Sequence, residues 1–212
     1  MSADVKTEES VKSAEGVVAR PSMKERQRQL REDAILDATL DLLKTKGYDS
    51  MTLEDITEAI GISRPTLYLH FKSKEDIVLH ISLRCRTQLL DFIQSQDKSR
   101  RACDRLIDFC NFALDIRFSE QGMAFGDLVK VVSSFENEQP LLGQCEVQLM
   151  DEYVGLAAEA QAEGTVRADM SPVMMSQVIV GFIKNYTLDG LIADGRITID
   201  EIKESAKKLL LV

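Results

Sequence analysis

Residues 52–76 read TLEDITEAIGISRPTLYLHFKSKED, a pattern of two short helices around a tight turn followed by the capped start of a third. Thr52 and Asp55 form a capping box, in which hydroxyl and carboxylate satisfy orphan amides at a helix N-terminus. Ile56, Ala59 and Ile60 supply an apolar stripe at helical spacing, and Gly61 admits the positive φ that ends the helix. Ser63 caps the next helix, and Pro65 falls in its first turn, where a missing N–H costs nothing. Ser73 and Asp76 make a second capping box. A short helix, a glycine turn and a second helix constitute a helix-turn-helix, whose second helix enters the major groove of DNA. Here that helix exposes Ser63, Arg64, Thr66, Tyr68 and His70, hydrogen-bonding groups that a core helix does not need. The pattern predicts a DNA-binding chain; the plainer alternative is a solvated polar helix in a bundle.

Thr52-Leu53-Glu54-Asp55-Ile56, Gly61-Ile62-Ser63, Thr66-Leu67-Tyr68-Leu69-His70-Phe71 and Lys74-Glu75-Asp76 resemble the signature of the TetR/AcrR family of bacterial transcriptional regulators. Ile35 to Lys46, with Gly47-Tyr48 behind it, is similar to that family's first helix. The resemblance covers residues 30–80, and several spaced elements agree at once. It implies an all-α chain: a three-helix, helix-turn-helix head that binds a palindromic double-stranded DNA operator, and a helical body that binds a ligand and forms a homodimer. It also implies repression of transcription, relieved by a small effector, with a constitutive DNA binder of the same fold as the alternative. DNA contact is implied at Thr52, Arg64, Thr66, Tyr68, His70 and Lys74, and Ser63 and Pro65 at the start of the recognition helix join that set. Base reading is expected at Arg64 and Thr66, nearest the helix N-terminus. Tyr68, His70, Thr52 and Lys74 are expected on phosphates, which set register without reading sequence.

Composition fits this expectation. The chain has 212 residues, 44% hydrophobic and 29% charged, as in an ordinary globular protein. No apolar run approaches the ~18 residues that a membrane span requires. The polar N-terminus, MSADVKTEESVKSAEG, lacks the apolar core of a secretory signal. Cys85, Cys103, Cys110 and Cys145 form no C-x-x-C pair, so a cytoplasmic chain with free thiols is expected. The net charge of −9 is unevenly placed. Residues 20–86 hold 12 Lys+Arg against 11 Asp+Glu, whereas residues 87–212 hold 12 against 20. DNA binding needs a local basic footprint, and Arg20, Lys24, Arg26, Arg28 and Arg31 lead into the first helix, with Lys72 and Lys74 at the fourth.

The expected organisation is a disordered arm at 1–22, a helix-turn-helix DNA-binding domain at 23–72 and a ligand-binding and dimerisation domain at 73–212. Helix one is expected from Glu25 to Lys46, with Ile35, Ala38 and Leu42 on one face and Leu36, Leu40 and Leu43 widening it. Helices two to four are expected at 53–60, 64–70 and 74–94, and body helices near 100–118, 123–136, 140–163, 171–193 and 199–211. The last two are the candidates for a two-fold interface, because 173–192 is apolar on more than one face and Gly181 sits in mid-helix.

The body carries Phe109, Phe112, Met123, Phe125, Met150, Tyr153, Met174, Phe182 and Tyr186 at helical spacings. These read either as plain core or as the lining of a pocket for a hydrophobic or amphipathic effector, since Met adapts to irregular cavities and aromatics give flat walls. Asp104, Asp108, Asn111 and Asp115 form a polar stripe that reads as a solvated face. His70 and His80 have no partner at metal-ligand spacing, and no catalytic or cofactor motif is present, so no metal, cofactor or enzymatic activity is expected.

Overall fold

The computed structural model describes residues 22–118, 131–132 and 140–211. The expected arm at 1–22 therefore lies almost wholly outside the described residues, as do Met123, Phe125 and most of the helix expected at 123–136. The described elements are α-helices, with one isolated antiparallel bridge between Val166 and Leu211.

Helix α1 (Met23–Ser50) starts at Ser22, whose side chain accepts from the Glu25 amide while Glu25 caps the Ser22 amide in return. Gly47 interrupts it at φ 73° and ψ 165°, so regular helix ends at the expected Lys46. Its buried face is Ile35, Leu36, Thr39, Leu40 and Leu43; the expected Ala38 and Leu42 are only half-buried at its edge. Helix α2 (Leu53–Ile60) closes the Thr52–Asp55 box and ends at Gly61, left-handed at φ 67° and ψ 38°. A side chain at that φ would strain the turn, which is why glycine stands there. Ala59 is exposed, contrary to the expected stripe, and Thr57 is buried in its place, its hydroxyl donating to the Glu54 carbonyl at 2.9 Å. The hydroxyl is tolerated inside because it is paired.

Helix α3 (Arg64–Tyr68) is shorter than the expected 64–70. After Tyr68 the chain tightens, with the His70 and Phe71 amides both donating to the Leu67 carbonyl. Helix α4 (Lys74–Ser95) is capped by Ser73, but Asp76 reaches back to the Lys72 amide at 2.7 Å, so the second box closes one residue earlier than expected. Met51, Ile56, Leu67, Phe71, Ile77, Val78 and Ile81 join the α1 residues in one cluster. The first turns of α4 thus belong to the core of the head, and Val132 and Leu142 from the body are buried in it too.

The body comprises α5 (Ala102–Phe118), α6 (Pro140–Ala162), α7 (Pro172–Ile183), α8 (Thr187–Ala193) and α9 (Ile199–Leu210). One cluster joins Ile93, Leu106, Phe109, Tyr153, Leu156, Met175, Ile179 and Leu210; another joins Leu114, Phe118, Leu188, Ile202 and Ala206. The single helix expected at 171–193 is two helices. Arg117, 1% exposed, causes the break: its Nε donates to the Ile183 carbonyl at 3.2 Å, and its guanidinium forks onto Asp189 at 2.9 and 2.6 Å. The Thr187 amide, which would otherwise bond Ile183, donates to Asn185 Oδ1 instead. A buried guanidinium requires such partners, and bidentate geometry supplies them.

Candidate nucleic-acid interface

Two buried side chains orient α3. Leu67 is fully buried and Phe71 is 3% exposed, so the opposite face of this short helix looks outward. Ser63 Oγ accepts from the Thr66 amide at 3.3 Å and lies 2.8 Å from Thr66 Oγ1, fixing the first turn. Arg64 and Pro65 are exposed, Thr66 is half-buried, and Tyr68 and Leu69 are 48% and 76% exposed. Arg64 Nη1 pairs with Glu54 Oε1 at 2.5 Å, both side chains about half-exposed. Such a pair in water is worth no more than about 1 kcal/mol, so the guanidinium can exchange Glu54 for another acceptor at little cost. Ser63, Arg64, Pro65, Thr66 and Tyr68 therefore share one surface that offers hydroxyls, a phenol and a planar cation. Thr52 is exposed at the α2 N-terminus, its hydroxyl engaged with the Asp55 amide at 3.2 Å.

His70 and Lys74 depart from the phosphate contacts expected of them. The His70 side chain is 8% exposed, with Nδ1 3.2 Å from Glu32 Oε1, and Glu32 is also held by Arg28 at 2.8 Å. Burial raises the Glu32 carboxyl, but hydrogen bonds and charge from Arg28 and His70 outweigh this and leave it below its ordinary value. Lys74 points inward, its ammonium donating to the carbonyls of Tyr48 at 2.8 Å and Met51 at 3.1 Å while lying 4.1 Å from the Tyr48 ring centre. Tyr48 completes the knot by donating to Glu75 Oε1 at 2.9 Å; burial, then Glu75, raises its phenol. Both residues are turned in because the chain between α1 and α2 leaves carbonyls that a nearby cation can satisfy, and α1 presents a carboxylate to the imidazole. Both side chains face the protein: His70 meets Glu32, and Lys74 meets the Tyr48 and Met51 carbonyls. Glu32 and Tyr48 were missed from sequence because their partners lie 38 and 27 positions away. Leu69 was also passed over, although its spacing of four from Pro65 places both on one side of the recognition helix.

The residues expected to line a ligand pocket are dispersed. Phe109 and Tyr153 are packed in the core with rings 5.2 Å apart, and the Tyr153 hydroxyl lies 3.6 Å from Cys110 Sγ. Burial pushes the Cys110 thiol up to about 12, which leaves it protonated and unreactive. Phe112 stacks on Phe92 at 4.0 Å, Met150 accepts from Gln177, and Phe182 borders the second body cluster. Met174 and Tyr186 are more than half exposed. A cleft of roughly 480 Å³ opens elsewhere, between α4, α5 and α6, lined among others by Ile93, Lys98, Arg105, Asp151, Glu152 and Leu156. The acidic stripe on α5 is solvated and ion-paired, Asp108 to Arg100 and Asp115 to Lys203.

The sequence profile described as "Bacterial regulatory proteins, tetR family" matches residues 35–81. The icaADBC biofilm operon negative transcriptional regulators IcaR of Staphylococcus aureus strain Newman and of Staphylococcus epidermidis are 38% identical over 88 residues and 31% identical over 86 residues. Each match covers 40% of this chain and 47% or 46% of the relative, so the chain spans about half the length of the curated relatives it matches. The TetR family regulator PfmR of Thermus thermophilus has a similar structure, with a TM-score of 0.68 at 21% identity over 84% of this chain and 96% of that one. A Saccharomonospora viridis regulator structure in complex with choline gives 0.68 at 17% identity, over 87% and 99%. At these identities the structural likeness concerns the fold. The profile, the relatives and the fold agree with the geometry of the head: residues 35–81 match the tetR family of bacterial regulatory proteins, and the described residues share the fold of the PfmR structure.

Proposed function

We propose that this chain is a dimeric transcriptional repressor that reads duplex DNA with α3. The observation that carries this reading is the division of α3 into a buried side, Leu67 backed by Phe71, and an outward side bearing Arg64, Pro65, Thr66 and Tyr68. Arg64 and Thr66 read base edges in the major groove, Ser63 and Tyr68 bond phosphates, and Thr52 contacts the backbone from the α2 N-terminus. His70 and Lys74 hold α3 and α4 at the angle this requires. IcaR relatives are negative regulators, which favours repression as the output.

Two copies are needed because a single short helix buries little DNA; two heads meet half-sites one helical turn, about 34–36 Å, apart. The outer surface of α9 carries Glu201, Glu204, Ser205 and Lys208 and does not suit the interface expected there. Exposed apolar groups lie instead on α6 and α7: Leu141, Val147, Val173, Met174 and Val178. Contacts of Gln177 with Met150 and of Lys184 with Glu146 set these helices side by side in opposite directions. A small effector bound in the body shifts the spacing of the two heads and releases the operator. The α4–α5–α6 cleft favours an amphipathic effector over a purely apolar one. The tight packing of Phe109 on Tyr153 and of Phe92 on Phe112 favours a second reading, a constitutive binder with a filled core.

Selection of duplexes from a random pool tests the first reading. It should return a two-fold symmetric sequence bound by a dimer, and a pool from which nothing is enriched would overturn it.

A further inference from the structure

The first helix starts well before the core does. Residues 22–31 are all exposed, and Ile35 is the first buried residue of α1. From Met23 to Arg31 the helix thus overhangs the head by about 13 Å, at roughly 1.5 Å per residue. This is not a frayed end, because the Ser22–Glu25 box closes its first turn. Lys24, Arg28, Arg31 and Ile35 follow at spacings of four, three and four, so they fall on one line of the helix, which meets the core at Ile35 and is basic along the overhang.

Two of the three charges on this line, Lys24 and Arg31, differ from most of those elsewhere in the head. Lys44 pairs with Asp41, Lys46 with Asp55, Arg64 with Glu54 and Arg84 with Asp37, while Lys74 is spent on carbonyls. Lys24 and Arg31 have no ion pair among the described residues, nor has Lys72, exposed just beyond the recognition turn. The Glu32–His70 contact places the base of the overhang beside the end of α3, and Arg28 reaches that same Glu32. Unneutralised cations therefore continue the surface of the recognition helix outward along α1. A polyanion lying against α3 would extend beneath them.

We propose that the Met23–Arg31 overhang is a second DNA-binding surface, on which Lys24 and Arg31 neutralise backbone phosphates flanking the half-site read by α3. Its partner is the phosphate backbone of the duplex continuing past the recognised bases, so it adds affinity without sequence preference. Arg26 lies on the opposite side of the helix and is not part of this surface. The inference rests on the DNA-binding reading above and deepens it.

The test is the salt dependence of binding to a duplex selected by the parent protein, at two duplex lengths. Lys24→Ala with Arg31→Ala removes two cations from each head of the dimer and should lower the magnitude of the slope of log K against log salt by about 3.6, since each phosphate contributes roughly 0.9. The ranking of single-base variants of the duplex should stay the same, as should the melting temperature of these exposed-site variants. Trimming the duplex to the recognised bases should weaken the parent and leave the double variant nearly unaffected, and Lys208→Ala on α9 should keep the parent's slope. A parental slope in the double variant, or a parent indifferent to trimming, would overturn the overhang while leaving recognition by α3 intact. A parent with no salt-dependent duplex binding would overturn both.

Discussion

The imidazole of His70 lies with Nδ1 3.2 Å from Glu32 Oε1, so the residue that closes the recognition turn is tied to the first helix 38 positions earlier. The contact ties the end of α3 to α1, so the outward surface of α3 depends on α1. His70→Ala should lower stability by about 1–2 kcal/mol, the cost of removing a largely buried side chain and its hydrogen bond to Glu32. It should weaken DNA binding about equally for every base variant, which distinguishes a residue that positions from one that reads. Thermal melts and anisotropy titrations give both numbers, and an altered base preference in His70→Ala would place the imidazole on the DNA instead.

Acid should act on the same region. Glu32 lies below its ordinary value for the reasons given above, and Asp55 is drawn down to about 2 by Lys46 and by the Thr52 amide, against a small opposing effect of burial. A carboxyl depressed in the folded state stabilises fully above its unfolded value, about 4, and loses that contribution as pH falls through the folded value. Urea midpoints should therefore decline from about pH 5 towards pH 2. Glu32→Gln with Asp55→Asn should decline less steeply, and an identical acid profile would show that these two groups do not govern it.

How much of this was legible in the sequence depends on the reach of each interaction. Thr52, Asp55, Gly61, Ser63 and Pro65 act within four residues of themselves, so the caps and the turn of the head could be read directly. The buried face of α1 was readable as a stripe, although its centre moved from Ala38 and Leu42 to Leu36, Leu40 and Leu43. The break between α7 and α8 was not readable, because Arg117 makes it from 66 and 72 positions away and an apolar run alone looks like one helix. The inward turn of His70 and Lys74 was hidden for the same reason. A polar residue beside a recognition helix looks the same in sequence whether it faces the duplex or a carboxylate on α1. The apolar body residues carried no directional signal, so Met174 and Tyr186 on the surface could not be told from Tyr153 in the core.

Arg117 and Asp189 supply a stability prediction. Asp189→Ala leaves a guanidinium that is 1% exposed without its bidentate partner. Breaking a buried pair from one side costs about 3–5 kcal/mol, and the lower end is expected because Asp189 is itself partly exposed. Calorimetry should show a lower melting temperature for this variant. A change below about 0.5 kcal/mol would mean that water already serves the arginine.

The proposed assembly uses α6 and α7. Val147→Glu with Val178→Glu puts like charges on two exposed apolar positions, 61% and 38% accessible in one chain, and burying them against a second copy would be unfavourable. Sedimentation should give a dimer for the parent and a monomer for the double variant, with little loss of secondary structure. Glu201→Ala with Lys208→Ala on α9 should remain dimeric. The reverse pattern would return the interface to the last helix.

The assignment of α3 as the reading element is tested most directly by the base-preference profile of Arg64→Ala. Parent and variant are titrated against a duplex selected by the parent and against every single-base change of it. The variant should lose about 1–3 kcal/mol on the parent sequence and show a flattened preference at one position in each half-site, with the other positions unchanged. Arg64→Ala with the parent's affinity and the parent's preference at every position would contradict the assignment.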